Sequence, residues 1–173
     1  METERKSGTT LKGNPFTLVG NEIKVGQTAP EFSALAGDLS AVTLASSKGK
    51  TRLLISVPSL DTPVCDAETR RFNEEAGKIP GVEVLVISVD LPFAQGRFCQ
   101  TAGIKNLKTL SDHRDVSFGK AYGTLIKELH LLSRAVFIVD PSDKVQYVEY
   151  VKEVATHPDY DAALNALKSG ARA

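Results

Sequence analysis

The sequence predicts an α/β fold in which a central mixed β-sheet is flanked by helices. Two observations predict it: short runs of β-forming residues too apolar to leave one face wet, and charged, amphipathic stretches of helical period between them. A third is size. The 173 residues, 42% apolar and 24% charged, suffice for a covered sheet without disulfide staples.

The elements follow in order. Residues 1–8 are polar and read as a flexible N-terminal tail, with residues 9–173 as a single domain. Residues 10–12 and 16–18 alternate around Gly13-Asn14-Pro15, a turn sequence, and predict a β-hairpin. Residues 24–30 read as a connector, and residues 32–35 and 42–44 as short strands or an irregular ledge. The first central strand is 52–57, stopped by Pro58. A helix over 64–79 carries Phe72, Ala76 and Ile79 on one face and ends at Pro80-Gly81. Residues 82–89 form the second central strand, and 92–102 a helix closed by Gly103. Residues 116–122 make a shorter helix. Residues 135–139 give a third central strand, joined through Asp140-Pro141 to an alternating edge strand over 145–151 in an antiparallel hairpin. A last helix over 158–168 buries Leu164 and Leu167. Nothing in the order of residues suggests a repeat, a low-complexity tract or a second domain.

Charge and cysteine content narrow the function. Lys plus Arg equals 21 and so does Asp plus Glu, so no global field draws the chain to DNA, RNA or an anionic membrane. No run approaches the roughly 18 apolar residues of a membrane span, and the polar N-terminus lacks a secretory core. The expected setting is the cytoplasm. Two cysteines there are catalytic, redox-active or simply buried rather than structural staples. His113, His130 and His157 have no metal-ligand spacing. Gly49-Lys50-Thr51 lacks the spacing of a phosphate loop, so neither metal nor cofactor is called for.

Cys65 stands out by position. Pro63 fits the first helical position and Thr62 the cap before it, which puts Cys65 at the third. There its sulfur lies near unpaired backbone N–H groups and the positive helix end, both of which favour the reactive thiolate. The plainer alternative is that Val64 and Cys65 only bury the first helical turn. Cys99 follows 34 positions later on another helix. A Cys-X-X-Cys motif would need cysteine at position 68, where the chain has Glu68. An oxidised Cys65 could instead condense with Cys99, and two sulfurs on separate helices would require local unwinding.

Pro58, Thr62 and Cys65 match the Pro-x-x-x-Thr-x-x-Cys signature of peroxiredoxins. The segments 58–65, 89–99, 133–140 and 158–164 resemble the bacterial thiol peroxidase branch, and the resemblance spans roughly residues 10–168. It implies a thioredoxin-like fold with an N-terminal β-hairpin. It also implies Cys65 as the peroxidatic and Cys99 as the resolving cysteine of one intrachain disulfide, with Pro58, Thr62 and Arg134 completing the site. Further implications are hydrogen peroxide and organic hydroperoxides as substrates, thioredoxin as reductant, and a homodimer. Position 85, an additional cysteine in some relatives, is Leu85. Phe93 and Phe98 read as core or pocket-wall residues that favour organic peroxides. The competing readings are a peroxide-responsive thiol sensor or relay, and a structural domain with inert cysteines.

Overall fold

The computed structural model describes residues 1–170. In chain order these form β1 (Glu4–Leu11), β2 (Asn14–Val19), β3 (Ser33–Leu35), β4 (Ala41–Thr43), β5 (Thr51–Ser56), α1 (Pro63–Glu75), β6 (Val82–Ser88) and α2 (Pro92–Ala102). They continue with β7 (Lys108–Ser111), α3 (Ser117–Ala121), β8 (Leu125–Ile126), β9 (Leu131–Leu132), β10 (Ala135–Val139), β11 (Val145–Tyr150) and α4 (Tyr160–Gly170). A seven-stranded sheet runs β11-β10-β5-β6-β7-β3-β4, and a second sheet of four runs β1-β2-β8-β9. β5, β6 and β7 are parallel, while β10 lies antiparallel to β5 and β11 antiparallel to β10. The mixed sheet and the predicted hairpin of 135–139 with 145–151 are therefore present, the second strand ending at Tyr150.

The apolar runs are explained by burial on both faces. Every residue of β5 and β10 is buried, and alternate side chains enter opposite layers. Leu54, Leu85, Ile87 and Phe137 face Phe32, Phe118 and Tyr122, with Phe118 stacked on Tyr122 at 4.5 Å between ring centres. Leu53, Ile55, Val84, Val86, Val136 and Ile138 face Phe72 of α1, Ala76 just past its end, and Leu164 and Leu167 of α4. Among the described residues no helix is long and apolar enough to cross a membrane.

Three features depart from the sequence reading. Residues 4–8 are not a tail but the first half of β1, with Glu4 opposite Val19 and Arg5 opposite Leu18. Their polar run hid this, because the register shift between Arg5 and Thr9 breaks the alternation that marks a strand. Arg5 anchors the segment by donating from Nε to the Gly20 carbonyl at 3.3 Å and lying 5.1 Å from the Tyr150 ring centre. The strand β7 went unpredicted because Lys108-Thr109-Leu110-Ser111 offers a single large apolar residue. The β8–β9 hairpin has two-residue strands, too short to show any period.

Two glycines pack together beside this second sheet, one just after β2 and one shortly before β8. Gly20, with φ of +103°, and Gly123, with φ of +67°, pack against each other. A Cβ on Gly20 would collide with the Lys120 carbonyl, and one on Gly123 with that of Asn21. Because backbone cannot swing aside and both φ values disfavour L side chains, Gly20→Ala should lower stability by about 2–3 kcal/mol. Urea unfolding of the reduced protein measures this loss.

Candidate active site

The strand β5 delivers the chain to the site and Pro58 turns it. Thr62 has extended φ and ψ of −127° and 147°, Pro63 opens α1, and Cys65 takes the third helical position, as the spacing predicts. Thr62 holds the cap position without capping: its Oγ1 donates to the Ser59 carbonyl at 3.0 Å. The hydroxyl thus closes the preceding turn and leaves the N–H groups of the first helical turn without it as acceptor. Those groups and the helix dipole face the start of α1, where a partly negative oxygen is favoured.

Arg134, immediately before β10, supplies fixed charge. Its Nη2 donates to Cys65 Sγ at 3.2 Å, its Nε to the Val154 carbonyl at 2.9 Å, and its Nη1 to Glu68 Oε2. Cys65 and Glu68 are fully buried and Arg134 is 1% exposed. Ser56 Oγ donates to the Ser133 carbonyl at 2.8 Å, fixing the backbone from which the arginine extends.

Glu68 is the residue that sequence reasoning missed, having registered there only as the absence of a second cysteine. The signal was available. Cys65, Glu68, Thr69 and Phe72 follow helical spacing, and all are buried on the inner face of α1. An acid on that face needs a cationic partner. Burial pushes the Glu68 carboxyl up from 4.5 to about 7, against the opposing pull of Arg134 and with a further push from Glu149. For Arg134 burial works against the charge, but Glu68 and Cys65 outweigh it and hold the guanidinium above its ordinary value.

Over this arrangement lies a cavity of about 240 Å³, bounded by Pro58, Ser59, Thr62, Pro63, Val64 and Arg134. Its remaining walls are apolar: Leu11 from β1, Ile126, Leu129 and Leu131 from the β8–β9 hairpin, and Val154 with Ala155. The structure thus brings Pro58, Thr62, Cys65 and Arg134 together. Phe93 and Phe98 do not line this cavity. Phe93 is 69% exposed on α2, and Phe98 packs beside the core and borders a separate polar cleft. The apolar wall comes instead from the second sheet, whose short strands gave no sequence signal.

Cys99 sits half-buried on α2, its Sγ 3.6 Å from Thr109 Oγ1 on β7, and both cysteines are free thiols. Each sulfur has a separate partner, so bond formation between them requires movement. The cleft between α1 and α2, about 380 Å³, is lined by Ser59, Asp66, Arg70, Asp90, Arg97 and Phe98 among others. His113 meets Ser111 Oγ at 2.9 Å and His157 meets Tyr160 at 2.7 Å, neither beside Cys65.

Comparison with known proteins agrees with this geometry. A family model described as Redoxin matches residues 24–164. A thiol peroxidase of Halalkalibacterium halodurans is 64% identical over 160 residues, covering 92% of this chain and 96% of the relative. One from Bacillus subtilis is 54% identical over 160 residues, with the same coverage. The crystal structure of a peroxiredoxin-like protein from Aquifex aeolicus superposes with a TM-score of 0.88 at 45% identity, covering 97% of this chain and 98% of that one.

The burial of Glu68 has a consequence for stability. Its carboxyl binds a proton more tightly folded than unfolded, so its contribution is present below the unfolded value of 4.5 and lost as pH rises through about 7. Asp112, raised to about 6 by burial, behaves alike at lower pH. Between about pH 6 and about pH 8, unfolding free energy in urea should therefore fall with pH, and Glu68→Gln should flatten that slope.

Proposed function

We propose, since this chain belongs to the Redoxin family and within it to the bacterial thiol peroxidases, that it reduces hydroperoxides through Cys65. The observation that carries this reading is the 3.2 Å contact of Arg134 Nη2 with Cys65 Sγ at the start of a helix, beneath an apolar cavity. A guanidinium there supports an anionic sulfur, the form that attacks oxygen.

The chemistry follows from this placement. The hydroperoxide enters with its O–O bond toward Sγ and any alkyl group against Leu11, Ile126, Leu129 and Leu131. The thiolate attacks the nearer oxygen, a sulfur–oxygen bond forms, and the electron pair of the O–O bond leaves on the departing hydroxide or alkoxide. Arg134 and the N–H groups of the first α1 turn stabilise the charge passing from sulfur to the leaving oxygen. Thr62 shapes the turn and offers its hydroxyl oxygen to the substrate. Pro58, without an N–H, walls off water. The sulfenic acid then condenses with the Cys99 thiol, forming one disulfide and releasing one water. Two thiol–disulfide exchanges with a dithiol reductant, for which thioredoxin is the proposed donor, restore both thiols.

A single domain that includes β1 from Glu4, a homodimer and a cytoplasmic setting belong to the same reading, on the strength of the resemblance. A peroxide-responsive sensor would share the reactive thiol but would not need rapid repeated turnover.

The test is a coupled assay with peroxide, thioredoxin, thioredoxin reductase and NADPH. Cys65→Ser should abolish peroxide reduction. Cys99→Ser should react once and lose most thioredoxin-supported turnover. Full activity in Cys65→Ser would overturn the assignment, and a single turnover in the intact protein would favour the sensor.

The apolar wall makes a separate prediction about substrate choice. Leu129→Glu places charge at the partly exposed cavity mouth and should raise KM for cumene hydroperoxide about tenfold, from the lost burial of a few methylenes. KM for hydrogen peroxide, which has no alkyl group to lodge there, should stay within about twofold.

A further inference from the structure

We propose that Asp90 is a positioning residue, a clasp that ties the Cys65 loop to the Cys99 helix so that the two redox segments loosen together. The inference rests on the pairing of the two cysteines proposed above, and adds what controls their approach.

Asp90 lies between β6 and α2. Its Oδ1 accepts from Ser59 Oγ at 2.7 Å, and its Oδ2 accepts from the Leu60 N–H at 2.8 Å and from Ser88 Oγ at 2.7 Å. Ser59 and Leu60 belong to the loop that leads into Cys65. Ser88 in turn accepts from Gln95 Nε2 at 3.0 Å, and Gln95 also donates to the Leu110 carbonyl at 2.8 Å. Gln95 is 2% exposed and lies one helical turn before Cys99 on α2.

The donors converge on the carboxylate from both segments. Gln95 donates to Ser88, Ser88 donates to Asp90, and the far side of the carboxylate receives Ser59 and Leu60. Such a line is mutually polarising and ends on a charge, where hydrogen bonds are stronger than between neutral groups. If the Cys65 loop leaves, the carboxylate loses two donors beside the cleft it lines and turns toward water. Ser88 then loses its oriented acceptor, and Gln95 the oriented hydroxyl that holds it. Gln95 is already poorly held at its other end, because Oε1 is buried without a hydrogen-bond partner. Release of the first segment therefore weakens the hold on the second.

This bears on the disulfide step. Cys65 is held under Arg134 and Cys99 against Thr109, so condensation of the sulfenic acid with the Cys99 thiol, expelling water, requires both segments to open. A clasp shared between them lets one opening event serve both. It also sets how long the sulfenic acid waits before it is resolved or is oxidised by a second peroxide to sulfinic acid.

The test compares the intact reduced protein with Asp90→Asn and Ser88→Ala. Asparagine keeps the size but sets an N–H donor against Leu60 or a hydroxyl, and the serine variant removes the middle of the line together with the acceptor of the Asp90 N–H at 3.3 Å. Amide hydrogen exchange should accelerate in residues 59–66 and 92–99 together, by about tenfold for one lost charge-assisted bond, with β5 and β10 unchanged. After one equivalent of peroxide, disulfide formation should accelerate by a similar factor, and the sulfinic fraction at excess peroxide should fall. Acceleration confined to 59–62, or an unchanged rate of disulfide formation in both variants, would overturn the clasp. An intact protein that forms no Cys65–Cys99 disulfide refutes the pairing itself. The exchange data, which need no peroxide, still report whether the two segments are coupled.

Discussion

A guanidinium shut away from water must find acceptors inside the protein for a charge it cannot lose. Arg134 finds three on two separate parts of the chain: Cys65 and Glu68 on α1, and the Val154 carbonyl beyond β11. The requirement fixes much of the site. The helix α1 must start where Cys65 and Glu68, three positions apart, both reach the base of β10. The strand β10 must lie beside β5, since β5 leads into the Cys65 loop and β10 is preceded by the arginine. Leaving any one acceptor out would strand buried charge, which costs more than the ion pair itself contributes.

The same arrangement sorts the surroundings into a charged floor and an apolar wall. The floor comes from the central sheet and α1, packed between two apolar layers and so held in one geometry. The wall comes from β1 and the β8–β9 hairpin, elements of the second sheet, which is tied to the body where Thr10 pairs with Lys152 and Val154. Peroxide chemistry suits this division. A polar O–O head needs fixed donors, whereas an alkyl tail needs only removal from water. The two demands are met by different sheets, so substrate range can change through Leu129 or Leu131 without disturbing Arg134.

What the sequence revealed, and what it hid, follows from the range over which each feature is encoded. The strands β5, β6 and β10 were legible because burial on both faces leaves continuous apolar runs. The position of Cys65 was legible because Pro63 anchors the helix register locally. Thr62 was legible only in part: its place at the cap followed from sequence, but its hydrogen bond to Ser59 depends on the fold of the turn. The strand β7 and the β8–β9 hairpin exist because longer neighbours offer them pairing edges, information that four residues or two cannot carry. Glu68 is the instructive omission, since helical spacing alone placed an acid on the apolar face of α1. Phe93 shows the converse error: an aromatic beside a functional cysteine suggested a pocket wall, and it points outward.

In the proposed cycle, reactivity and resolution make opposite demands on Cys65. Attack on peroxide favours a sulfur held still beneath Arg134, in a dry site where fixed charges act most strongly. Pairing with Cys99 favours a sulfur free to leave. A rigid core cannot meet both needs by bending, because packed interiors deform little, so the freedom has to reside in segments with few apolar contacts and polar ties that can break. The stretch between Pro58 and Cys65 has such polar ties, Ser59 and Leu60 through Asp90 and Thr62 through its own turn, while the Leu60 side chain packs in the core. Its ties are hydrogen bonds beside a water-accessible cleft, whereas β5 behind it is wholly buried. The chain thus places the Cys65 sulfur at the junction of a wholly buried strand and a loop tied largely by hydrogen bonds, and each half of the proposed cycle draws on one side of that junction.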